Sequence, residues 1–330
     1  MKCLVTGANG FLGTNLVRQL AAEGWQVRAS GRQQQITPWL ADLAVEYLPA
    51  DISRREDVDR IVAGCEVVFH VAGDTSFWKR LYPRQRATNV DGTEHVARAC
   101  LEQGVRRMVH TSTADVFGYD PAGGMVTETH PFNYTNLGYH YGETKLEGDR
   151  RLKAVIEEGL DAVLLHPGSI IGPWDHTQQF GRLFFELKAG EVPACPPGGA
   201  SFCHATEVAR AHIAAVEKGA RGESYLLAGM AHTNLPFSSL FALMANAVGA
   251  RAPKLVMPEW LFVTYGWGCE RLAALTGKAP QINPGQARYM SRPQYCDSRK
   301  AMQALGYRVP DIETCINDSL EWYQSHGFGL

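Results

Sequence analysis

The sequence predicts an α/β fold built on a doubly wound parallel sheet, with a smaller, mostly C-terminal α/β lobe. Three observations predict it. Short apolar strands alternate with helical stretches from residue 2 to residue 166, and a glycine-rich turn joins the first strand to the first helix. Prolines and glycines then interrupt the alternation between residues 167 and 200. Together these features indicate a Rossmann-type domain followed by a second lobe.

The apolar runs predict the elements in order. The first six strands are placed at 2–6, 25–29, 45–48, 66–71, 107–112 and 161–166. Intervening helices of this length favour parallel strands joined by right-handed crossovers. Beyond Pro167 we predict a helix at 204–218 and a strand at 224–227, then helices near 238–248, 258–275 and 311–325. We expect 1–167 to form the first domain, 204–230 to return to it, and 168–330 to form mainly the substrate-binding lobe.

Composition narrows the class of protein. With 330 residues, 45% of them hydrophobic, the chain can bury a sizeable core. A net charge of −2 gives no reason to expect nucleic acid or an anionic membrane as partner, so we expect a small molecule. The eight cysteines show no metal-ligand spacing, which predicts buried reduced thiols and no metal site. We see no signal peptide or membrane span and expect a cytoplasmic protein.

The aromatic stretch 255–269 allows two interpretations. An exposed apolar patch here would suit a membrane surface or a subunit contact. Because Pro258, Glu259 and Glu270 interrupt it, we favour a helix that faces the core or covers the substrate.

The turn after the first strand carries three glycines, in the order Thr6-Gly7-Ala8-Asn9-Gly10-Phe11-Leu12-Gly13. Gly7 can adopt the positive φ of a tight turn, and Gly10 allows a pyrophosphate to approach the backbone. Gly13 allows the helix to lie close to the sheet. The free N–H groups of the helix start would face the anion. The turn therefore predicts a dinucleotide site.

Two further groups of residues carry chemistry. Tyr141 and Lys145 lie four residues apart on a predicted helix, so they share one face. A nearby ammonium favours the phenolate and should lower the tyrosine pKa from about 10, which would make Tyr141 a general acid. The hydroxyls of Thr111, Ser112 and Thr113 follow the fifth strand, at the sheet edge where such folds hold their ligands.

These motifs, in this order, resemble an extended short-chain dehydrogenase/reductase over nearly the whole chain. The resemblance includes the glycine turn 6–13, Asp51-Ile52, the segment 70–73, the segment 89–93, the hydroxyls 111–113, Tyr141 with Lys145, the segment 166–168 and the segment 204–209. His166 stands where the family commonly has arginine, so the resemblance does not predict which groups contact this residue. The pattern 297–301 with 305–307 looks like the dihydroflavonol 4-reductase and 3β-hydroxysteroid dehydrogenase branch.

The resemblance implies roles for individual residues. Tyr141 would be the acid/base, Lys145 would bind the nicotinamide ribose, and Thr113 would be the catalytic hydroxyl. Asn89 would brace the sheet near the cofactor, with a helix-start hydrogen bond as the equal alternative. The cofactor would contact Gly7, Asn9, Gly10, Phe11, Leu12, Gly13, Arg32, Asp51, Ile52, Val71, Ala72, Gly73, Asn89, Thr111, Tyr141, Lys145, Pro167 and Gly168.

The end of the second strand indicates which nicotinamide cofactor is bound. Enzymes that use NAD place an acid there for the ribose 2′-hydroxyl. This chain has Arg28-Ala29-Ser30-Gly31-Arg32 instead, and the planar fork of Arg32 suits a 2′-phosphate. We therefore favour NADP(H), with NAD(H) as the alternative.

Aromatic residues around the expected site favour a hydrophobic substrate. We predict a pocket formed by Phe77, Trp78, Ser112, Thr113, Trp174, His176 and Phe180. The first hypothesis is an NADP(H)-dependent reductase of a hydrophobic ketone or aldehyde. The second is a nucleotide-sugar epimerase or dehydratase with bound NAD, and the third is a non-catalytic redox sensor, which would not need Tyr141, Lys145 and Thr113. By analogy with the family we expect a homodimer formed through helices that include 86–102 and 140–156.

Overall fold

A computed structural model describes all 330 residues of the chain. Its strands are β1 (Lys2–Thr6), β2 (Gln26–Gly31), β3 (Glu46–Pro49), β4 (Val67–His70), β5 (Arg107–Thr111), β6 (Met125–Val126), β7 (Ala162–Pro167), β8 (Ser169–Ile171), β9 (Ala194–Cys195), β10 (Gly199–His204), β11 (Ser224–Leu227), β12 (Asn234–Pro236), β13 (Leu255–Val256) and β14 (Pro293–Cys296).

The α-helices are α1 (Phe11–Ala22), α2 (Arg55–Val62), α3 (Tyr82–Arg86), α4 (Gly92–Glu102), α5 (His140–Glu157), α6 (Arg182–Ala189), α7 (Ala205–Lys218), α8 (Phe237–Ala247), α9 (Glu259–Thr276), α10 (Pro284–Tyr289), α11 (Arg299–Leu305) and α12 (Ile312–Ser325). Short 3₁₀ turns at Pro38–Leu40, Lys79–Leu81 and Ala114–Phe117 and a π turn at Ala87–Asp91 complete the secondary structure.

The predicted fold class is confirmed. Seven parallel strands form one sheet in the order β11-β7-β5-β4-β1-β2-β3. The order reverses between β1 and β4, which is the switch point where doubly wound sheets bind ligands. The strand β11 joins the outer edge of β7, with Ser224 opposite Leu164 and Leu227 opposite Pro167. The chain therefore leaves this sheet after β7 and returns to it more than fifty residues later.

Helices cover both faces of this sheet because its strands are apolar on both sides. On one face α1 and α7 pack on a core that includes Leu16, Val17 and Leu20. On the other face α2, α4 and α5 pack on a second core that includes Val68 and Leu164.

The second lobe has its own small sheet and core. The strands β12, β10, β14 and β6 pair in that order, β8 pairs with β10, and β13 pairs with β9. Helices α6, α8 and α12 enclose a core that contains Phe184, Phe202 and Tyr323. The helix α9 packs with α10 on a smaller cluster around Phe262 and Ile282.

The structure corrects the expectation for 255–269. On α9 only Phe262, Gly266 and Ala273 are buried, while Trp260, Tyr265 and Trp267 are exposed. Most of this helix therefore faces solvent and not the core. The eight cysteines are free thiols, and seven of them are buried.

Candidate active site

The candidate residues come together at the carboxyl edge of the seven-stranded sheet. Each strand of a parallel sheet ends at the same edge, so the segments that follow β1, β4, β5 and β7 become neighbours there. The glycine turn follows β1, and Val71, Ala72 and Gly73 follow β4. Thr111 ends β5, and Pro167 and Gly168 lie at the end of β7. Gly168 is closely packed, since a Cβ there would lie 2.5 Å from the Ser201 carbonyl oxygen.

The glycine turn is too tightly packed for side chains at two positions. Gly7 has φ +70°, and a Cβ there would lie 2.7 Å from the Cα of Ala72. A Cβ on Gly13 would lie 2.1 Å from the Gly7 carbonyl oxygen. These contacts bring the backbone of the turn against the segment after β4, with no side chain between them.

The start of α1 fits the phosphates of a dinucleotide. Gly10 precedes the helix with no side-chain cap, and no acidic residue lies in the first turn. The N–H groups of Phe11, Leu12 and Gly13 consequently have no partner within the helix and can bind an anion. A bare cradle beside free N–H groups is what a pyrophosphate requires, so these residues fit the cofactor that the motif implies.

The end of β2 carries no carboxylate. A Cβ built on Gly31 would meet Oε1 of Gln33 at 3.1 Å and the hydroxyl of Tyr47 at 3.2 Å. The Asn9 amide donates to that hydroxyl at 3.1 Å and to the Gln35 carbonyl at 3.0 Å, so its side chain holds the loop that follows β2. Arg32 is exposed on this loop and makes no ion pair.

Polar residues hold the segments that follow β3 and β4. Asp51 accepts hydrogen bonds from the N–H and hydroxyl of Ser53, and Ile52 is buried next to it. Asn89 is buried on the π turn, where it accepts a hydrogen bond from the Asp74 N–H at 2.8 Å and donates to the hydroxyl of Thr144 at 3.1 Å. Asn89 thus joins the loop after β4 to α5, the helix that carries Tyr141.

Helix α5 carries Tyr141 and Lys145 near the carboxyl end of β5. The Lys145 ammonium is buried and donates to the Thr111 carbonyl oxygen at 2.8 Å. The Thr113 hydroxyl accepts a hydrogen bond from the Asp115 N–H at 3.4 Å. The Tyr141 ring lies 6.4 Å from the Phe77 ring, at the side where a substrate would enter.

The ionisation of Tyr141 differs from the expectation. Burial raises the pKa of Tyr141 above its ordinary value of 10, the Asp115 carboxylate raises it further, and the Thr113 hydroxyl acts in the opposite direction. The Lys145 ammonium donates to the Thr111 carbonyl oxygen and not to the Tyr141 hydroxyl. Burial also lowers the pKa of Lys145 to about 8, against the effect of the Asp149 carboxylate. The expected lowering of the tyrosine pKa by Lys145 is therefore wrong for this structure.

A buried polar network lies behind Lys145. Asp149, one turn further along α5, accepts a hydrogen bond from the Ser112 hydroxyl at 2.7 Å and lies 3.2 Å from Nε2 of His110. His166 lies 3.8 Å from the same carboxylate, and burial lowers its pKa to about 4, so it is neutral at pH 7. The hydroxyl of Ser112 is thus directed into the protein, and its expected place in the substrate pocket is wrong.

A second network, which the sequence did not reveal, surrounds Asp115. This buried carboxylate accepts hydrogen bonds from Tyr139 at 2.5 Å, from Tyr289 at 2.9 Å and from the Gln294 amide at 2.6 Å. The rings of Tyr139 and Tyr289 stack at 4.0 Å. Burial raises the pKa of Asp115, which these hydrogen bonds oppose. The network joins the second lobe to the turn that holds Thr113.

A cleft of about 190 Å³ opens on the far side of Phe77, whose ring lies 6.4 Å from the Tyr141 ring. It is lined by Ser76, Phe77, Trp78, Leu81, Ala279, Pro280, Gln281 and Gln286, none of which is charged. The Asn283 amide donates a hydrogen bond to the Phe77 carbonyl and so ties the loop after β4 to α10. The structure therefore places Phe77 and Trp78 at the cleft.

Three other expected pocket residues lie elsewhere. Trp174 and His176 belong to an aromatic cluster around Trp39, whose ring is 6.4 Å and 6.1 Å from theirs. The His176 ring also contacts the Asn9 carbonyl at 3.1 Å. Phe180 packs against Phe202 at 5.7 Å in the core of the second lobe. All three are partly buried, and none of them lines the cleft beside Phe77, so their predicted role in the substrate pocket stays a prediction.

The whole chain meets neither the requirements of a membrane-spanning helix nor those of a metal site. No helix is both long enough and apolar enough to cross a membrane. No group of three histidine, cysteine, aspartate or glutamate side chains is arranged to hold a metal ion.

Comparisons with known proteins agree with this geometry. Residues 3–228 match the model of the NAD dependent epimerase/dehydratase family. The chain is 29% identical over 329 residues to a putative dihydroflavonol 4-reductase of Synechocystis sp., covering 98% of this chain and 95% of that protein. It is 31% identical to sterol demethylase protein B of Methylococcus capsulatus, covering 99% of each. The crystal structure of gox2253 superimposes with a TM-score of 0.85 at 26% identity, covering 98% of both chains.

Proposed function

Because the chain belongs to the NAD dependent epimerase/dehydratase family of extended short-chain dehydrogenases/reductases, we propose that it reduces a ketone or aldehyde of a hydrophobic small molecule. It is a nicotinamide-dependent oxidoreductase. The finer assignment is supported by one observation above all. Burial keeps the Tyr141 phenol protonated, and its ring lies 6.4 Å from Phe77, which lines a cleft without charged residues.

Each residue of the site has a separate role in the reduction of a carbonyl group. The reduced nicotinamide, when bound, supplies a hydride to the carbonyl carbon. The Tyr141 hydroxyl donates its proton to the carbonyl oxygen, and the Thr113 hydroxyl donates a hydrogen bond to the same oxygen. Lys145 uses one N–H on the Thr111 carbonyl and has others for the cofactor ribose. The glycine turn and the start of α1 would hold the pyrophosphate of the cofactor.

The raised pKa of Tyr141 favours the reductive direction. A phenol with a pKa above 10 is protonated at neutral pH, which is the state that a general acid needs. For the reverse reaction Tyr141 would have to be a phenolate, and burial opposes that state.

The cleft favours an apolar substrate over a nucleotide sugar. Phe77, Trp78, Leu81 and Pro280 provide apolar surface, and no arginine or lysine lines the cleft. A nucleoside diphosphate carries charge that proteins usually bind with arginine, lysine or helix N-termini. The names of two relatives refer to a dihydroflavonol and to a sterol, and neither of these molecules is a nucleotide sugar.

The Tyr141→Phe variant tests the assignment. We expect kcat for a hydrophobic ketone to fall by roughly 10²–10⁴, because the general acid is lost. Cofactor affinity, measured by fluorescence titration, should be unchanged. The control is Tyr295→Phe, which removes a half-buried hydroxyl of β14 that lies outside the site. Full activity of Tyr141→Phe would refute the mechanism, and NAD that copurifies together with thermal stabilisation by UDP-sugars would favour the epimerase alternative.

We further propose NADP(H) as the preferred cofactor. Its support is the exposed, unpaired Arg32 after β2 and the absence of an acid there. We expect Arg32→Ser to weaken NADPH binding by roughly ten- to a hundredfold, since hydrogen bonds to charged groups contribute about 1.5–3 kcal/mol. NADH binding should change little, and Arg308→Ser, an exposed arginine elsewhere, should change neither. Equal loss for both cofactors would contradict the role of Arg32.

The arrangement of the whole protein is also a proposal. We propose a homodimer through α4 and α5, and a first domain of 1–167 completed by 204–230. Eight free thiols support a reducing, cytoplasmic compartment. Light scattering tests the dimer.

A further inference from the structure

The helix α9 exposes apolar side chains along one side. Trp260, Trp267 and Leu275 are 70%, 51% and 86% exposed, and Leu261, Tyr265 and Leu272 lie on the same side. At 3.6 residues per turn these six residues form one stripe, opposite the buried Phe262, Gly266 and Ala273. The neighbouring strand β13 adds Leu255 and Val256, both exposed. We call these eight residues the α9 face. Single exposed apolar residues are common, but a continuous patch of this kind marks a binding surface.

The charges around the α9 face are positive toward solvent. Arg251, Lys254, Arg271 and Lys278 are exposed, and none of them forms an ion pair. The two acids of the helix are partly buried. Glu259 pairs with Arg292 at 2.7 Å, and Glu270 is half-buried beside Tyr82, whose pKa is raised to about 12 by burial and then by this carboxylate. The surface is thus cationic although the chain has a net charge of −2.

The composition of the α9 face favours one kind of binding partner. Tryptophan and tyrosine with leucine, flanked by lysine and arginine, form the combination that binds at the headgroup level of a bilayer. Each cation near an anionic membrane strengthens binding to it. A second copy of the chain on the same face would bring four unpaired cations close to four others, which is unfavourable. We propose that the α9 face is a docking surface for an anionic lipid bilayer, on which the protein lies without crossing it.

The docking surface continues to the candidate active site. The Tyr265 hydroxyl donates to Oε1 of Gln281 at 2.6 Å, and Gln281 lines the cleft together with Phe77. The Phe77 ring in turn lies 6.4 Å from the Tyr141 ring. Docking would bring the mouth of the cleft to the membrane, where apolar substrates are concentrated. This last step rests on the proposed function, whereas lipid binding itself does not.

Vesicle sedimentation tests the inference. We expect the protein to sediment with vesicles of phosphatidylcholine and phosphatidylglycerol, far less with phosphatidylcholine alone, and less as salt is raised. The variants Trp260→Ser/Trp267→Ser and Arg271→Glu/Lys278→Glu should each bind roughly tenfold more weakly or worse. The controls Met302→Ser and Arg308→Glu change exposed residues away from the face and should bind like the wild type.

Further measurements separate the remaining outcomes. All variants should keep the wild-type melting temperature and the wild-type rate on a water-soluble ketone. The inference is overturned if the wild type stays in the supernatant with both vesicles, or if the tryptophan variant sediments equally. It is also overturned if light scattering shows an oligomer that this variant dissociates, because the face would then bind a second copy. Since sedimentation needs neither substrate nor cofactor, its result is independent of the reductase assignment.

Discussion

The charge of Lys145 depends on a balance between burial and Asp149. Burial alone disfavours the ammonium, and the carboxylate one turn away on α5 favours it, so that the pKa of Lys145 is about 8. Lys145 is therefore mostly charged at pH 7 and loses its proton as pH rises through about 8. Activity that needs the ammonium should fall over the same range of pH.

Asp149→Asn tests this balance. Without the carboxylate the pKa of Lys145 should fall further, so the alkaline limb of the kcat/KM profile should move to lower pH, by roughly one unit. Ser112→Ala is the matched control, since it removes the hydrogen bond to Asp149 and keeps the charge. An unchanged limb in Asp149→Asn, with a normal melting temperature, would show that Asp149 does not act on Lys145.

At the residue scale, local spacing predicted more than distant contacts did. Tyr141 and Lys145 share one helix, so their common face could be read from their separation of four residues. The partners of Asp115 could not be found in this way, because Tyr289 lies 174 residues away in the chain. The direction of the Tyr141 pKa shift was missed for the same reason, since burial depends on the whole fold.

At the scale of elements, two glycines in helices have opposite surroundings. A Cβ on Gly13 of α1 would lie 2.1 Å from the Gly7 carbonyl oxygen, whereas a Cβ on Gly268 of α9 would meet nothing within 4 Å. The first glycine allows close packing and the second only loosens its helix.

Two alanine substitutions test this difference. Gly268→Ala should raise the free energy of unfolding by about 0.4–1 kcal/mol, because the unfolded chain loses freedom and the helix has room. Gly13→Ala should lower it and weaken cofactor binding, because the turn must move. Urea unfolding and fluorescence titration measure the two effects, and a Gly13→Ala protein as stable as the wild type would contradict the packing argument.

The strands of the main sheet were predicted to within two residues, and the aromatic segments were not. Apolar runs bounded by glycine and proline specify where a strand lies, because the pattern is local. An aromatic residue, in contrast, predicts that its ring will pack against other apolar groups, but not which groups those are. Trp174 and Phe180 pack against the core of the second lobe, whereas Trp260 and Trp267 are exposed and pack against no core of this chain.

At the scale of the whole molecule, an aromatic cluster joins the two ends of the chain. The Trp39 ring, on the turn after β2, lies 5.3 Å from Trp322 of α12 and 6.0 Å from Phe328. The Arg18 guanidinium of α1 lies 4.1 Å over the Trp174 ring in the same cluster. The last helix is thereby attached to the nucleotide-binding sheet.

We expect Trp322→Ala to destabilise the entire protein. Truncating this buried ring should reduce the free energy of unfolding by about 3–5 kcal/mol. Because both lobes contribute to the cluster, calorimetry should still show one transition, at a lower melting temperature. Trp267→Ala, at an exposed site, should change stability by about 0.5 kcal/mol or less. Two separate transitions in Trp322→Ala would show that the lobes unfold independently.

Because β11 joins the edge of β7 late in the chain, the main sheet cannot be completed until most of the protein has been synthesised. A ribosome releases residues 1–167 well before Ser224–Leu227 emerges, so the nascent sheet exposes the unpaired N–H and C=O groups of β7 in the meantime. A gene fragment that stops after Pro167 would keep that edge bare permanently. Such a fragment should aggregate on expression, whereas one that extends through the β11 codons would carry its own cover for the sheet.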